Sequence, residues 1–382
     1  MRKIKLSSCL VLIVFSFWMT ANAQTTRPAT EVSKTDSGSI YGARFKILFP
    51  KNWKGKLVMY AHGYEFMGSP LQSSNPALAT SMQPFLKRGF AVACSDYHKQ
   101  GFALPEAIED VEALRKYFFD TYGKPDTVFM IGHSMGGGVA LGTIENFPQY
   151  YNGGLPMCPL SSQPYIQCRK EFDMYATFNV LFPGIVPKIS ELMNPSSGFK
   201  TLSFQEIFQK GDDMKKQLFK DSILVKQFAK RFDLKTDDLP FSILFNENVL
   251  RDLTLKAGGN PFDNTNTLYS GFPDDWEMNK KVERITAVPG ANKFLNRYNR
   301  TGDIDRPVVL MHTIYDQLIP PTYGVVNYDN MVHEKGKEQW LVVKYTNGQG
   351  HCNFTPEQTE IAFDILRNWA ATGKRPSPGA IK

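Results

Sequence analysis

A serine sits in this chain with glycines two residues to either side, Gly132-His133-Ser134-Met135-Gly136. The apolar run 127–131 precedes it, and small residues with helical patterning follow. Between a strand and a helix, this spacing makes a turn so tight that glycine is needed beside the serine. The hydroxyl then projects above the end of the sheet. The helix beginning at Met135 aims unpaired N–H groups at the same place, favouring negative charge that develops there. The chemistry on offer is attack on a carbonyl carbon, provided a base takes the serine proton and a third group orients that base.

Six histidines are available as the base. His62 and His133 lie inside motifs where the backbone acts, and His98 and His312 follow strands without the right downstream position. His333 lies in a polar stretch and reads as a solvated side chain. His351 differs, because Asn347-Gly348-Gln349-Gly350-His351 forms a loop between the last buried strand and the last helix. From there an imidazole can reach a serine at the top of a sheet. The acid is expected one strand earlier, where Asp316 follows the apolar run 306–312, whereas Asp303 and Asp305 precede that run at the wrong end. Serine, acid, histidine is the chain order Ser134, Asp316, His351. Two backbone N–H groups are needed for an oxyanion. One is expected from Met135 and the other from Tyr64, in the loop His62-Gly63-Tyr64, where glycine lets backbone approach substrate.

The elements that must position these groups can be read from patterning. Apolar runs at 55–61, 90–95, 127–131, 155–160, 306–312 and 340–345 are continuous rather than alternating. Continuous runs alternating with helical stretches indicate a mostly parallel sheet covered on both faces. Strand character begins at 40–50, and 25–39 reads as a loose leader. A helix is expected at 76–87. Ile108, Val111, Leu114, Phe118 and Tyr122 give a second helix that Pro105 opens. Thr355-Pro356-Glu357-Gln358 is a capping-box start for the last helix. From 161 to 302 the strand rhythm stops, and helical segments are expected at 204–222, 223–232, 239–255, 276–284 and 291–298.

The strand-HGY loop, GHSMGG, the acid in HTIYDQLIP and the histidine in GQGHCNF together resemble the α/β-hydrolase superfamily, in order and on matching elements. The resemblance spans about 40–160 and 303–375. It implies an α/β fold of mostly parallel sheet flanked by helices, with a helical cap inserted over the active site. The domains expected are a signal peptide (1–23), the core (24–160 and 303–382) and the cap (161–302). It also implies ester or related acyl hydrolysis through an acyl-enzyme, with no cofactor and no metal. Cysteine after the histidine is similar to tannase and feruloyl-esterase-like enzymes, but their nucleophile follows a cysteine while Ser134 follows His133.

Two functional alternatives stand beside a secreted esterase. The same triad serves an exopeptidase or amidase, for which Glu171, Asp173 or Glu247 would hold a free amine. A non-catalytic binding module would have lost a triad member, yet all three are present. Composition narrows partners: 382 residues with 42% hydrophobic and 21% charged describe a globular chain. The net charge of +7 is mild and spread, and Arg2, Lys3 and Lys5 fall in the leader, so nothing points to nucleic acid. A small-molecule ester or peptide-like substrate remains. The basic start, the apolar run 6–19 and Ala21-Asn22-Ala23 read as a signal for export, to the periplasm or outside the cell, with cleavage near Ala23 and no stable membrane span afterwards. Cys94, Cys158, Cys168 and Cys352 then permit two disulfides in three pairings; Cys158 and Cys168 are close enough in sequence to bridge, and Cys94 suits a buried thiol.

Overall fold

The structure, a computed structural model, describes residues 29–381, so the leader expected at 1–23 lies outside the described residues. Among the described residues, nine strands form one sheet: β1 (Val32–Ile40), β2 (Ala43–Pro50), β3 (Lys56–Ala61), β4 (Ala91–Ser95), β5 (Thr127–His133), β6 (Gly153–Met157), β7 (Val308–Tyr315), β8 (Leu341–Gln349) and β9 (Gly379–Ala380). Their spatial order is β1-β2-β4-β3-β5-β6-β7-β8-β9. β1 and β2 run antiparallel to their neighbours, and the pairs from β4 to β9 are parallel. Every residue of β4 and β6 is buried, as continuous apolar strands of a sheet covered on both faces should be.

On one face lie the helices α1 (Leu78–Ser81) and α2 (Gln83–Leu86), short because Pro84 interrupts the single helix expected at 76–87. The other face carries α3 (Leu104–Tyr122), opened by Pro105, and α4 (Met135–Asn146). α3 buries Ile108, Val111, Leu114 and Phe118 among core residues from β2, β3 and β5. Burying each such side chain contributes about 1.5–3 kcal/mol, which makes this stripe a main reason for the helix.

Seven helices follow β6 before the sheet resumes at β7: α5 (Pro164–Leu181), α6 (Ile189–Leu192), α7 (Phe204–Leu218), α8 (Ser222–Arg231), α9 (Leu239–Ala257), α10 (Asp275–Lys281) and α11 (Lys293–Asn296). Finally α12 (Val325–Glu334) and α13 (Pro356–Thr372) complete the layers, with the Thr355–Gln358 capping box formed at the start of α13.

Three further elements differ from their sequence expectation. The stretch 32–40, expected to be loose, is strand β1. It is polar on both faces because it lies at the edge, and β2 holds it through the backbone ladder. The Tyr117 and Tyr122 hydroxyls also donate to Asp36 Oδ2, at 2.9 and 2.7 Å. Helix α5 has no separate apolar stripe because neighbours bury Gln167, Met174, Ala176 and Thr177 on its other sides as well as the face of Cys168, Phe172 and Tyr175. The helix expected at 291–298 shrinks to the single turn Lys293–Asn296. Among the described residues, no helix is long and apolar enough to cross a membrane.

Candidate active site

β5 ends at His133, and Ser134 is the residue on which the chain turns into α4, with φ 57° and ψ −125°. A non-glycine residue in that region is strained, and strain of this kind persists only when surroundings over-determine it. Here they do. A Cβ on Gly132 would run into the Gly136 carbonyl, and one on Gly136 would run into the Ala61 and His62 carbonyls. The Ser134 N–H donates to Met157 O at 3.0 Å, and its carbonyl accepts from Leu160 N at 3.0 Å and Gly138 N at 3.1 Å.

The structure brings Ser134, His351 and Asp316 together. His351 Nδ1–H donates to Asp316 Oδ2 at 2.7 Å, which leaves Nε2 to accept the Ser134 hydroxyl at 2.7 Å. Asp316, 1% exposed, uses Oδ1 to accept the N–H groups of Leu318 and Ile319 at 2.9 and 2.8 Å. Burial alone would raise its carboxyl, but the charge and hydrogen bond of His351, with His312 and the Ile319 N–H, hold it below the ordinary carboxylate range. An ionised acid beside Nδ1 is placed to stabilise an imidazolium, were Nε2 to take the serine proton.

The His62-Gly63-Tyr64 loop closes around this line. A Cβ on Gly63 would lie 3.2 Å from Ser134 Cβ, so the HGY loop rests against the nucleophile. The next residue, Tyr64, has its hydroxyl accepting from Asn248 Nδ2 of α9 at 2.8 Å. Met135 opens α4, so its N–H is among those a helix leaves unpaired. His62 does not face the serine. It stacks on Tyr97 with centroids 4.0 Å apart and donates Nδ1–H to Gly63 O at 2.8 Å, and burial pushes it down to about 4. His133 is likewise pushed down to about 4 by burial, with the nearby His351 adding to it, and bonds the Tyr60 hydroxyl at 3.1 Å. Of these two neutral imidazoles, His62 ties backbone and His133 ties the Tyr60 side chain.

The remaining histidines lie apart from the reaction line or behind it. His98 pairs with Asp110 at 2.8 Å, and His333 pairs with Glu338 at an exposed site. His312 gives Nδ1–H to Thr313 O and lies 4.0 Å from Asp316, behind the acid. Asp303 and Asp305 bind Lys337, away from His351.

Four groups at the site carried no sequence signal of their role. Gln317 Oε1 accepts the His351 N–H at 2.8 Å, so the residue after the acid also fixes the histidine loop. Cys158, at the end of β6, is bridged to Cys352 with Cα atoms 5.3 Å apart. The bridge Cys158–Cys168 that sequence proximity allowed is not formed; Cys94 and Cys168 are buried free thiols. Cys158, His351 and Cys352 are close enough together to hold a metal ion, but the sulfurs are bonded to each other and offer no thiolate. From the inserted segment, Lys235 gives its N–H to the Tyr315 hydroxyl at 2.9 Å and its ammonium to Gln349 Oε1 at 2.8 Å.

No family model matches the chain. It is 20% identical to o-phthalyl amidase of Xanthobacter agilis, over 88% of this chain and 87% of that protein. Among solved structures it is similar to an esterase of Pyrococcus furiosus, at 16% identity and TM-score 0.47, over 88% of this chain and 91% of that one. It is similar also to the cell-wall-degrading esterase LipA of Xanthomonas oryzae, at 14% identity and TM-score 0.44, over 85% and 86%. An acylaminoacyl peptidase of Pyrococcus horikoshii is 11% identical with TM-score 0.45, over 88% of this chain and 41% of that one. With a mostly parallel sheet, a strained serine turn between β5 and α4, and acid and histidine following β7 and β8 in that chain order, the protein has the α/β-hydrolase fold.

Proposed function

We propose that the protein is an exported serine hydrolase that cleaves carboxylic esters through an acyl-enzyme. The observation that carries this is the unbroken line Ser134 Oγ, His351 Nε2, His351 Nδ1, Asp316 Oδ2, each hydrogen bond 2.7 Å long. Ser134 attacks the carbonyl carbon while His351 takes its proton. The oxyanion is met by the N–H groups of Met135 and Tyr64, each such donor being worth about 2.7–4 kcal/mol in the transition state. His351 then protonates the leaving alcohol, and water enters by the reverse route.

Rings beside Tyr64 support an apolar or aromatic substrate. Tyr64, Phe66 and Phe245 have centroids 5.5–6.1 Å apart, and Phe204 and Phe241 extend the wall. Export is supported by the Cys158–Cys352 disulfide, which suits an oxidising compartment.

Amide hydrolysis is the second reading, favoured by the similarity to o-phthalyl amidase. The free-amine version of it loses two of its three carboxylates. Asp173 is taken by Arg169 and Tyr269, and Glu247 by Tyr175.

A fluorophosphonate probe tests the nucleophile. Labelling of the wild type and none of Ser134→Ala is expected, and equal labelling of the two would refute the assignment. A panel of aryl esters against the matching anilides then separates ester from amide. Faster anilide turnover would reverse the choice.

A further inference from the structure

We propose that Gln167 and Glu171, one turn apart on α5, form the polar subsite of the cleft and take an uncharged hydrogen-bonding substituent of the substrate, a hydroxyl or a carboxamide. This rests on Ser134 being the nucleophile.

The first support is position. The segment that leads into α5 crosses the nucleophile: Cys158 is bridged to Cys352 beside His351, and Leu160 N donates to Ser134 O. α5 begins four residues later at Pro164. Its Lys170 ammonium lies 4.5 Å over the ring of Tyr323, in the segment after the acid, and the helix packs on α9, where Asn246 bonds Met174 and Asn248 holds the Tyr64 hydroxyl. This stretch of helix therefore lies between the acid side of the site and the oxyanion loop.

The second support is that these polar atoms have no protein partner. Gln167 is fully buried, and neither its Oε1 nor its Nε2 is hydrogen-bonded; Glu171 Oε2 is likewise shut off from solvent and unpartnered. Buried polar groups are normally paired, and an unmet pair within one turn is a standing demand for a ligand. Ser161 Oγ, just before α5, is also without a partner, whereas two polar side chains of α9 have met theirs. Asn248 holds the Tyr64 hydroxyl and the Leu202 N–H, and Arg251 holds the carbonyls of Leu192, Asn194 and Phe199.

Charge then decides what kind of group fits. Burial pushes the Glu171 carboxyl up to about 8, against the pull of Lys170. Burial also pushes Lys170 down to about 8; Asp233, Glu171 and Asp316 oppose the shift and Arg231 adds to it. The Cys168 thiol on the same helix and the Tyr64 phenol facing Glu171 are held protonated by burial. At neutral pH Glu171 keeps its proton, so it and Gln167 each offer a donor and an acceptor. A hydroxyl or carboxamide satisfies both. An ammonium would pair only with an ionised Glu171, which would first have to release its proton to solvent from a dry site, and a carboxylate would be drawn to Lys170, which sits 4.5 Å over the Tyr323 ring.

Matched aryl esters carrying hydroxyl, carboxamide, ammonium, carboxylate or no substituent test this on the wild type, Glu171→Gln, Glu171→Leu and Gln167→Leu. The wild type should prefer the hydroxyl or carboxamide ester over the unsubstituted one by roughly tenfold in kcat/KM. Glu171→Gln, which mimics the protonated acid, should keep that preference, and the two leucine variants should lose it through KM. Above about pH 8 the wild type should lose it while Glu171→Gln does not. Fluorophosphonate labelling of Ser134 should be unchanged in all four proteins. Preference for the ammonium or carboxylate ester overturns the proposal. So does a Glu171→Gln variant that loses selectivity, or leucine variants that keep it while still labelled. Failure of the wild type to be labelled overturns the nucleophile reading instead, and the subsite falls with it.

Discussion

Asp316 does two jobs with one carboxylate. Oδ1 is held by two backbone N–H groups, and Oδ2 is left for His351. Asparagine in its place removes the acceptor that sets the imidazole tautomer. Asp316→Asn should lower kcat by about 10⁴-fold with KM little changed, measured by steady-state hydrolysis of an aryl ester. Its carboxyl is held below the ordinary range in the folded chain, so the stability it contributes is present above the unfolded value of about 3.9 and is lost as pH falls through the folded value. The stability difference between wild type and Asp316→Asn should therefore narrow in acid, as urea unfolding at a series of pH values would read. Ser134, Gly132 and Gly136 were legible because a strained turn allows few residue types. Gln317 was not, since a glutamine that caps a distant N–H looks like any surface glutamine.

Among the elements, the loop carrying His351 is the one most in need of support. It is neither strand nor helix, and its ties include the Gln317 amide, the Tyr315 and Thr313 contacts to Gly350 and the Cys158–Cys352 bridge, while Lys235 holds Gln349 just before it. The bridge spans 194 residues of sequence, so it removes much freedom from the unfolded chain. Loss of a native disulfide typically costs about 2–5 kcal/mol. Cys352→Ser should lower Tm, and because Cys352 adjoins His351 it should reduce kcat more than it raises KM. Thermal unfolding and kinetics with and without reductant check both, with the reduced wild type approaching the variant. Helix α5 shows why element prediction failed where it did. Apolar periodicity marks a helix with one buried face, and α5 is buried on several sides while keeping Gln167 inside.

Across the whole molecule, the inserted helices are fastened to the core at two places, the loop before α3 and helix α4. On one side Asp252 accepts the Phe102 N–H, and Lys256 donates to the carbonyls of Gln100 and Phe102. Gly101 in that loop pairs with Glu65, next to Tyr64. On another, the fully buried Arg300 guanidinium reaches the Gly138 carbonyl of α4 and the Tyr298 carbonyl, while Glu145 holds Thr301 and Gly302. Asp252→Ala leaves Lys256 and the Phe102 N–H without their partner in a buried place. It should destabilise the protein by about 3–5 kcal/mol, and should raise KM for bulky aryl esters more than for acetate esters; calorimetry and the two KM values are the measurements.

Local rules were enough to read the sequence for the α/β class, the serine turn, and the acid and histidine at the ends of the right strands. Those features depend on neighbours within a few residues: continuous apolar runs, glycines that make room for backbone, a capping box. The edge strand β1, the Cys158–Cys352 pairing, the Gln317 cap and the unpartnered atoms of Gln167 and Glu171 depend on residues far apart in sequence. Ladder hydrogen bonds, sulfur reach and the missing partner of a buried amide exist only once the chain is packed. What depends on near neighbours in sequence was therefore legible in this chain, and what packing brings together was decided by the fold.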